Sequence, residues 1–322
     1  MKKVSIIIPA YNVSAYIECC VMSLLRQSYT NIEILLVDDG SKDTTPEICD
    51  KMATMDARIL VFHKQNGGVS SARNHGIRHA TGDFIMFVDG DDWLEETCIE
   101  DMLRRVDETN SDACFCNRYY KDDNKLQVAT ALSSVQAIST LNVLKLHLHY
   151  GFIASPCLSL LRRDCVQQVY FNEEIHTLED WEYNFRCLAN LATISILDKA
   201  YYHYRTVDSS ASSSPLNAKK LTCFMIARCV NEHIQKNNLP LREEARFVPV
   251  FLVYHMLVCY SGHGSVDDCE RLVRNFARKT LLSVSCCRSI GIKYKSYLLL
   301  ASIHPILFKR LYCIKNKNKR KL

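Results

Sequence analysis

The sequence predicts an α/β fold, a mostly parallel, Rossmann-like sheet with flanking helices, followed by a helical C-terminal region. Three observations predict it. Short runs rich in Ile, Val, Leu and Phe alternate with helix-length segments early in the chain, glycine or acidic clusters end most of those runs, and the pattern turns helical after a serine-rich stretch.

In order, strand-length runs occupy residues 4–9, 33–38, 59–63, 84–88 and 113–117, each bounded by polar or glycine punctuation. Between the first two, Ile17, Val21, Leu24 and Leu25 recur at helical spacing. Thr45 before Pro46 reads as an N-cap followed by proline in the first helical turn. A βαβα order argues for a parallel sheet covered on both faces, and such sheets bind ligands beyond the carboxyl ends of their strands. Those ends carry Ala10-Tyr11-Asn12, Asp38-Asp39-Gly40-Ser41, Asn66-Gly67-Gly68 and Asp89-Gly90-Asp91-Asp92, so four loops are expected to converge on one polar, acidic site.

With 322 residues, 48% of them hydrophobic and 23% charged, the chain can bury a sizeable core and falls outside the disordered, collagenous and polytopic membrane classes. The first apolar run follows Met1-Lys2-Lys3 directly and stops at Pro9, too short for a secretory signal. The 16 cysteines are scattered and show no C-x-x-C spacing, which fits structural thiols in a reducing cytoplasm.

Serines 209, 210, 212, 213 and 214 before Pro215 read as a linker dividing a domain of residues 1–208 from a helical region of residues 215–322. Residues 247–260 are apolar, fall short of the roughly 20 residues of a membrane span, and read as a buried helix. Residues 297–312 fit either an interfacial amphipathic segment or a packed helix with a solvated basic end. The net charge is +5, and Lys315, Lys317, Lys319, Arg320 and Lys321 concentrate positive charge at the end of the sequence, pointing to an anionic membrane surface.

The tip of the fourth strand releases Asp89, Asp91 and Asp92. Carboxylates this close repel one another unless a cation sits among them, and hard oxygen ligands suit Mg²⁺ or Mn²⁺; the plainer alternative is an acidic loop capping a helix that starts near Leu94. Asp39 can accept hydrogen bonds from a nucleoside, or merely close an Asx turn. Gly67-Gly68 opens a helix whose outward N–H groups suit an anion. Arg73, one turn on, can contact a phosphate, hold the acidic loop, or be a plain surface arginine. Leu178-Glu179-Asp180-Trp181-Glu182 opens another helix, where Asp180 can be desolvated into a general base or simply face the helix dipole. The first strand lacks a following Gly-x-Gly-x-x-Gly, which argues against dinucleotide binding.

Taken together, residues 4–12, 37–41, 67–74 and 88–92, and more thinly Glu179-Asp180-Trp181 and Tyr202-His203-Tyr204-Arg205, resemble glycosyltransferase family 2 with its GT-A fold, of the bacterial polysaccharide type. The resemblance implies an inverting, metal-dependent transferase, of hexosyl or N-acetylhexosaminyl type, acting from a nucleotide diphosphate sugar, UDP first among them. Pro9, Ala10 and Tyr11 would line the base, Asp39 would bind uracil or ribose, and Arg73 would lie near the donor. Asp91 would be the metal ligand, with Asp89 nearer the ribose, Asp92 beside the donor sugar, and His203 completing the site around Mn²⁺ or Mg²⁺. Asp180 would be the base that deprotonates a hydroxyl of a glycan or lipid-linked glycan in capsule, O-antigen or lipopolysaccharide assembly at the cytoplasmic membrane face; no nucleic acid partner is implied. Two rivals stay open: a nucleotidyltransferase, which normally carries a glycine-rich basic loop where this chain has Ala10-Tyr11-Asn12, and a non-catalytic nucleotide-sugar binding module.

Overall fold

The computed structural model describes residues 1–120, 126–127, 138–150, 155–205, 217–259, 267–285, 287 and 290–303. The serine-rich stretch at 209–215, the polar residues 121–125 and the basic residues 315–321 lie outside them. The chain begins with β1 (Val4–Ala10), α1 (Ile17–Leu25), β2 (Ile32–Asp38), α2 (Thr45–Met55), β3 (Ile59–His63) and α3 (Val69–His79). It continues through β4 (Phe84–Phe87), β5 (Trp93–Leu94), α4 (Cys98–Thr109), β6 (Ala113–Tyr120) and two two-residue strands, β7 (Leu126–Gln127) and β8 (Ile138–Ser139). Then come α5 (Thr140–Tyr150), β9 (Ser159–Arg162), α6 (Arg163–Val166), α7 (Glu179–Asn190) and β10 (Thr193–Tyr204).

The sheet runs β3-β2-β1-β4-β9-β6-β10-β5. Its first four strands are parallel to one another, β9 enters antiparallel between β4 and β6, and β10 returns parallel to β6. All seven residues of β2 and six of seven in β1 are buried, the pattern of strands covered on both faces. Fully buried Ile6, Ile7, Ile8, Leu35 and Phe87 each contribute about 1.5–3 kcal/mol of burial. Helix α3 lies directly on β1 because Gly76 has no side chain: a Cβ there would stand 2.3 Å from Ile7 Cγ2. Gly76→Ala would therefore push α3 off the sheet.

Two expectations are corrected. Thr45 is the first residue of α2 rather than its N-cap; its Oγ1 accepts from the Val13 N–H at 3.0 Å, while Asp43 Oδ1 accepts from the Thr45 N–H. No helix starts near Leu94, because Trp93 and Leu94 pair with His203 and Tyr202 as β5, and the helix waits until Cys98.

The chain divides into two compact units, the first comprising Met1–Leu144, Phe152–Glu173 and Glu179–Val207, and the second Lys145–Gly151, Glu174–Leu178 and Asp208–Leu322. The sheet belongs to the first. The second holds α8 (Ile226–Lys236), α9 (Arg242–Ala245), α10 (Phe247–Cys259), α11 (Asp267–Val284) and α12 (Ile292–Ile303), with Phe224 stacked on Phe276. The apolar segment read from sequence at 247–260 is α10, and among the described residues no helix is long and apolar enough to cross a membrane.

Candidate active site

The loops that follow β1 and β2 lock together at the carboxyl end of the sheet. Asn12, at φ +53°, donates its N–H to Ser41 Oγ and accepts from the Lys42 N–H; Ser14 N–H donates to Asp43 Oδ2. Beside them Asp39 is buried, and Gly40 turns at φ +72° where a Cβ would stand 2.9 Å from the Asn66 nitrogen.

The glycine pair that opens α3 does not hold its N–H groups free for a phosphate. Gly67 and Gly68 N–H donate to Asp39 at 3.0 and 2.7 Å, and Lys64 Nζ donates to it at 2.6 Å. The anion that the helix start favours is one of the chain's own carboxylates. Of the roughly four acceptor positions on that carboxylate, these donors leave about one for a ligand.

Arg73 on α3 is 3% exposed and joins two distant parts of the sequence. Its Nη1 donates to Asp180 Oδ1 at 2.5 Å and its Nη2 to Asp89 Oδ1 at 2.8 Å, while Phe171 lies under the guanidinium. Asp180 sits in the first turn of α7, directly after Leu178, whose φ of +61° swings the chain into the helix. Burial pushes the Asp180 carboxyl up from the ordinary aspartate range; Arg73 pulls it down, and Glu179 and Asp89 push it up again. One guanidinium thus answers three carboxylates. About a quarter of the Asp180 side chain, 26%, is exposed, enough to meet a hydroxyl.

The loop bearing Asp89, Asp91 and Asp92 is gripped from β10. Tyr202 Oη donates to Asp92 Oδ2 at 2.5 Å and accepts from the Asp89 N–H at 3.2 Å. Arg205 donates its N–H to Asp92 Oδ1 and its Nε–H to the Asp91 carbonyl, with its guanidinium over Tyr16 and Trp93. Asp92 is therefore an interior anchor, 1% exposed, rather than a wall of the cleft; burial first, then the Asp89 charge, raises it to about 8. Sequence reasoning did not single out Tyr202 and Arg205. Their only trace was the motif Tyr202-His203-Tyr204-Arg205 at the end of a strand.

Asp91 is different. Among the described residues no other residue donates a hydrogen bond to its carboxylate, and burial followed by the Asp89 charge pushes its pKa up. His203, also expected at a metal, has its Nε2 at 2.6 Å from Glu95 Oε1 and its ring stacked on Trp93 at 4.7 Å. No three His, Cys, Asp or Glu side chains form a ready metal cluster among the described residues. The donor set thus fits a cation held by one protein carboxylate that draws its other ligands from phosphate oxygens and water, the usual habit of Mg²⁺.

These loops enclose a cleft of about 350 Å³, within the range of small-molecule sites. Pro9, Ala10, Tyr11, Asp39, Asp89 and Asp91 line it; Arg73, Asp92, Asp180 and His203 do not. Arg73 nevertheless ties Asp180 to the lining residue Asp89.

The Glycosyl transferase family 2 model matches residues 5–169. The chain is 35% identical over 239 residues to the uncharacterized glycosyltransferase EpsJ of Bacillus subtilis, covering 72% of this chain and 67% of that one. The chain belongs to glycosyl transferase family 2. Another family relative is the poly(ribitol-phosphate) beta-N-acetylglucosaminyltransferase TarS of Staphylococcus aureus, 29% identical over 247 residues, 73% of this chain and 42% of TarS. The structure of TarS residues 1–349 in complex with UDP-GlcNAc matches with a TM-score of 0.76 at 23% identity, over 96% of this chain and 89% of that one. That likeness shows the GT-A fold. A family 2 glycosyltransferase is thus in hand, and one relative is by name a glycosyltransferase of poly(ribitol-phosphate).

Proposed function

We propose that the chain transfers a hexosyl or N-acetylhexosaminyl group, with inversion, from a UDP-sugar to a hydroxyl of a glycan or lipid-linked glycan in cell-surface polysaccharide synthesis. The observation that carries the reading is the Arg73 bridge, which draws Asp180 and the acidic loop together although they lie 107 and 16 residues from Arg73 in sequence. In this reading residues 1–208 form the catalytic domain and residues 215–322 a helical region with a membrane-associating basic tail.

The nucleotide would lie in the cleft, its base against Pro9, Ala10 and Tyr11, with the remaining acceptor position of Asp39 toward it. Asp89 would face the ribose, and Arg73 and Asp92 would act from beneath, holding Asp180 and the loop in register. Asp91 would hold a Mn²⁺ or Mg²⁺, and His203 would join only by leaving Glu95. Bound there, the cation would supply stabilisation of the negative charge that develops on the departing diphosphate.

Asp180 would take the proton of the acceptor hydroxyl. The oxygen then forms its bond to the anomeric carbon from the face opposite the diphosphate, which leaves with the electron pair of the broken bond. A single displacement needs one base and gives inversion. The raised pKa of Asp180 suits it to that proton transfer.

The test is a screen of nucleotide sugars for hydrolysis, with Mn²⁺ or Mg²⁺ and with a chelator. UDP-sugar turnover abolished by the chelator is expected. Turnover of a nucleoside triphosphate with release of pyrophosphate would replace this reading with a nucleotidyltransferase, and binding of UDP-sugar without turnover, even with acceptor polysaccharide added, would make the site a binding module.

A further inference from the structure

Charge is segregated along this chain. Residues 271–322 contain 14 Lys and Arg and no Asp or Glu; residues 1–270 contain 26 and 35, so a segment of net +14 follows one of net −9. Helix α11, whose first residues Asp267–Glu270 precede the basic segment, and α12 within it pack on one another, with Arg278 Nε donating to the Ser302 carbonyl at 2.9 Å.

Their outward faces are not wholly polar. On α12, Ile292, Leu299 and Ile303 are 85%, 49% and 60% exposed, and at 3.6 residues per turn they fall within about 40° of one another. Lys293 and Tyr294 are exposed on the same helix. On α11, Leu272 and Leu282 are 50% and 78% exposed, within the same roughly 120° arc as exposed Arg271, Arg278 and Lys279. Val273, Ala277 and Val284 face inward and are buried. A water-facing helix keeps its apolar residues inside; here both helices keep an apolar set inside and show a second one outside, among cations.

We propose that the exposed face of α11 and α12 docks on an anionic phospholipid bilayer, lying on its surface. Exposed Ile and Leu can enter the headgroup boundary while Lys and Arg neighbours meet lipid phosphates; the carboxylates of α11, Asp267, Asp268 and Glu270, are confined to its first turn, and α12 has none. Neither helix is long and apolar enough to cross the bilayer. Charge selects the partner: a neutral apolar protein groove would answer the Ile and Leu residues and leave the cations unmatched. The proposal builds on the membrane association included in the proposed function, moving the contact from the basic tail to α11 and α12, and its test does not depend on transferase activity.

The full chain is sedimented with vesicles of phosphatidylcholine alone and of phosphatidylcholine with about one-third phosphatidylglycerol. Binding to the anionic vesicles is expected to exceed that to neutral ones by about tenfold or more and to weaken with salt. The triple variant Ile292→Ser, Leu299→Ser, Ile303→Ser, and separately Lys279→Glu with Lys293→Glu, should each lower it by about tenfold, with thermal melting by circular dichroism unchanged. Retention of both variants at the wild-type level would overturn the docking face and leave residues 304–322 as the binding element. Absence of vesicle binding, with the triple variant dissociating a dimer in solution, would overturn the lipid in favour of a second copy of this chain.

Discussion

Two acidic clusters stand at opposite ends of the same sheet, and their carboxylates are in opposite states. Near the start of β2, Glu33 is buried, and burial alone would raise its pKa; donors from Lys3, Ser5 and Thr81 outweigh that and hold it at about 2. Ser5 Oγ, the Thr81 N–H and hydroxyl, and Lys3 Nζ leave Glu33 no unmet acceptor demand. At the other end Asp91, Asp92 and Asp180 are all pushed up, by burial first and then by one another's charge or that of Asp89 and Glu179. The saturated cluster is a joint between strands. The cluster short of positive charge is where a cation and a donor would complete the electrostatics, which is why perturbed acids mark functional sites.

The largest effect should come from the unsaturated end. Asp180→Asn is expected to lower transfer by about 10²- to 10⁴-fold, the usual contribution of a general base, and to leave donor binding measured by calorimetry within about threefold, since the residue is outside the nucleotide cleft. In the wild type, a base whose pKa is raised keeps its proton to higher pH, so the rate should climb through a value above the ordinary aspartate range and be lost below it. A rate flat from pH 4 upward, or turnover retained by Asp180→Asn, removes Asp180 from the mechanism.

Stability should show the reverse order. Glu33 titrates at about 2 when folded against 4.5 unfolded. Its contribution is therefore present above the unfolded value and lost as pH falls toward 2, and it is on the order of 2 kcal/mol. Glu33→Gln should lower the apparent melting temperature at pH 7 by several degrees, whereas Asp180→Asn, which removes a carboxylate from a site with too many, should leave it unchanged or raise it. Equal losses would show that both clusters are structural joints.

Much of this contrast could be foreseen in part. The runs at 4–9, 33–38, 59–63, 84–88 and 113–117 correspond to β1, β2, β3, β4 and β6; buried strands such as β1, β2 and β4 write themselves as apolar runs with no help from distant residues, and β3 is such a run although only Ile59 of it is buried. The acidic loop was visible because it follows such a run. Strand β9 was not: Ser159–Arg162 is four residues with no alternation, and its place between β4 and β6 is set by pairing across more than 40 positions of sequence. The occupant of the α3 N-terminus was equally hidden, since glycine spacing tells that N–H groups are available but not that Asp39, 28 residues earlier, takes them. The anchors Tyr202 and Arg205 reach Asp92 over 110 and 113 residues, a separation that leaves no periodic signature.

Those anchors give the next prediction. Tyr202→Phe removes the donor to Asp92 and the acceptor of the Asp89 N–H, and a buried unpaired group costs about 1–3 kcal/mol. If Tyr202 positions the loop that carries Asp91, the concentration of Mn²⁺ giving half-maximal rate should rise by about tenfold while the rate at saturating metal changes by less than about threefold. A loss of melting temperature with the metal dependence unchanged would make the hydroxyl a stabilising contact only.

The smallest effect should be found at Lys64. Lys64→Met removes one of the donors on Asp39 but spares the two glycine N–H groups, so Asp39 stays in place and the opening of α3 keeps its internal anion. The pair is mostly shielded from solvent, with side-chain exposures of 18% and 3%, and its loss should cost about 1–2 kcal/mol of stability. UDP affinity by calorimetry should shift by no more than about threefold, because the cleft is lined by Asp39 and not by Lys64. A fall in affinity of about a hundredfold would mean that Lys64 leaves Asp39 to contact the nucleotide itself. Asp39 would then gain acceptor capacity on donor binding, and the saturated and unsaturated states contrasted across the sheet would interconvert within one loop.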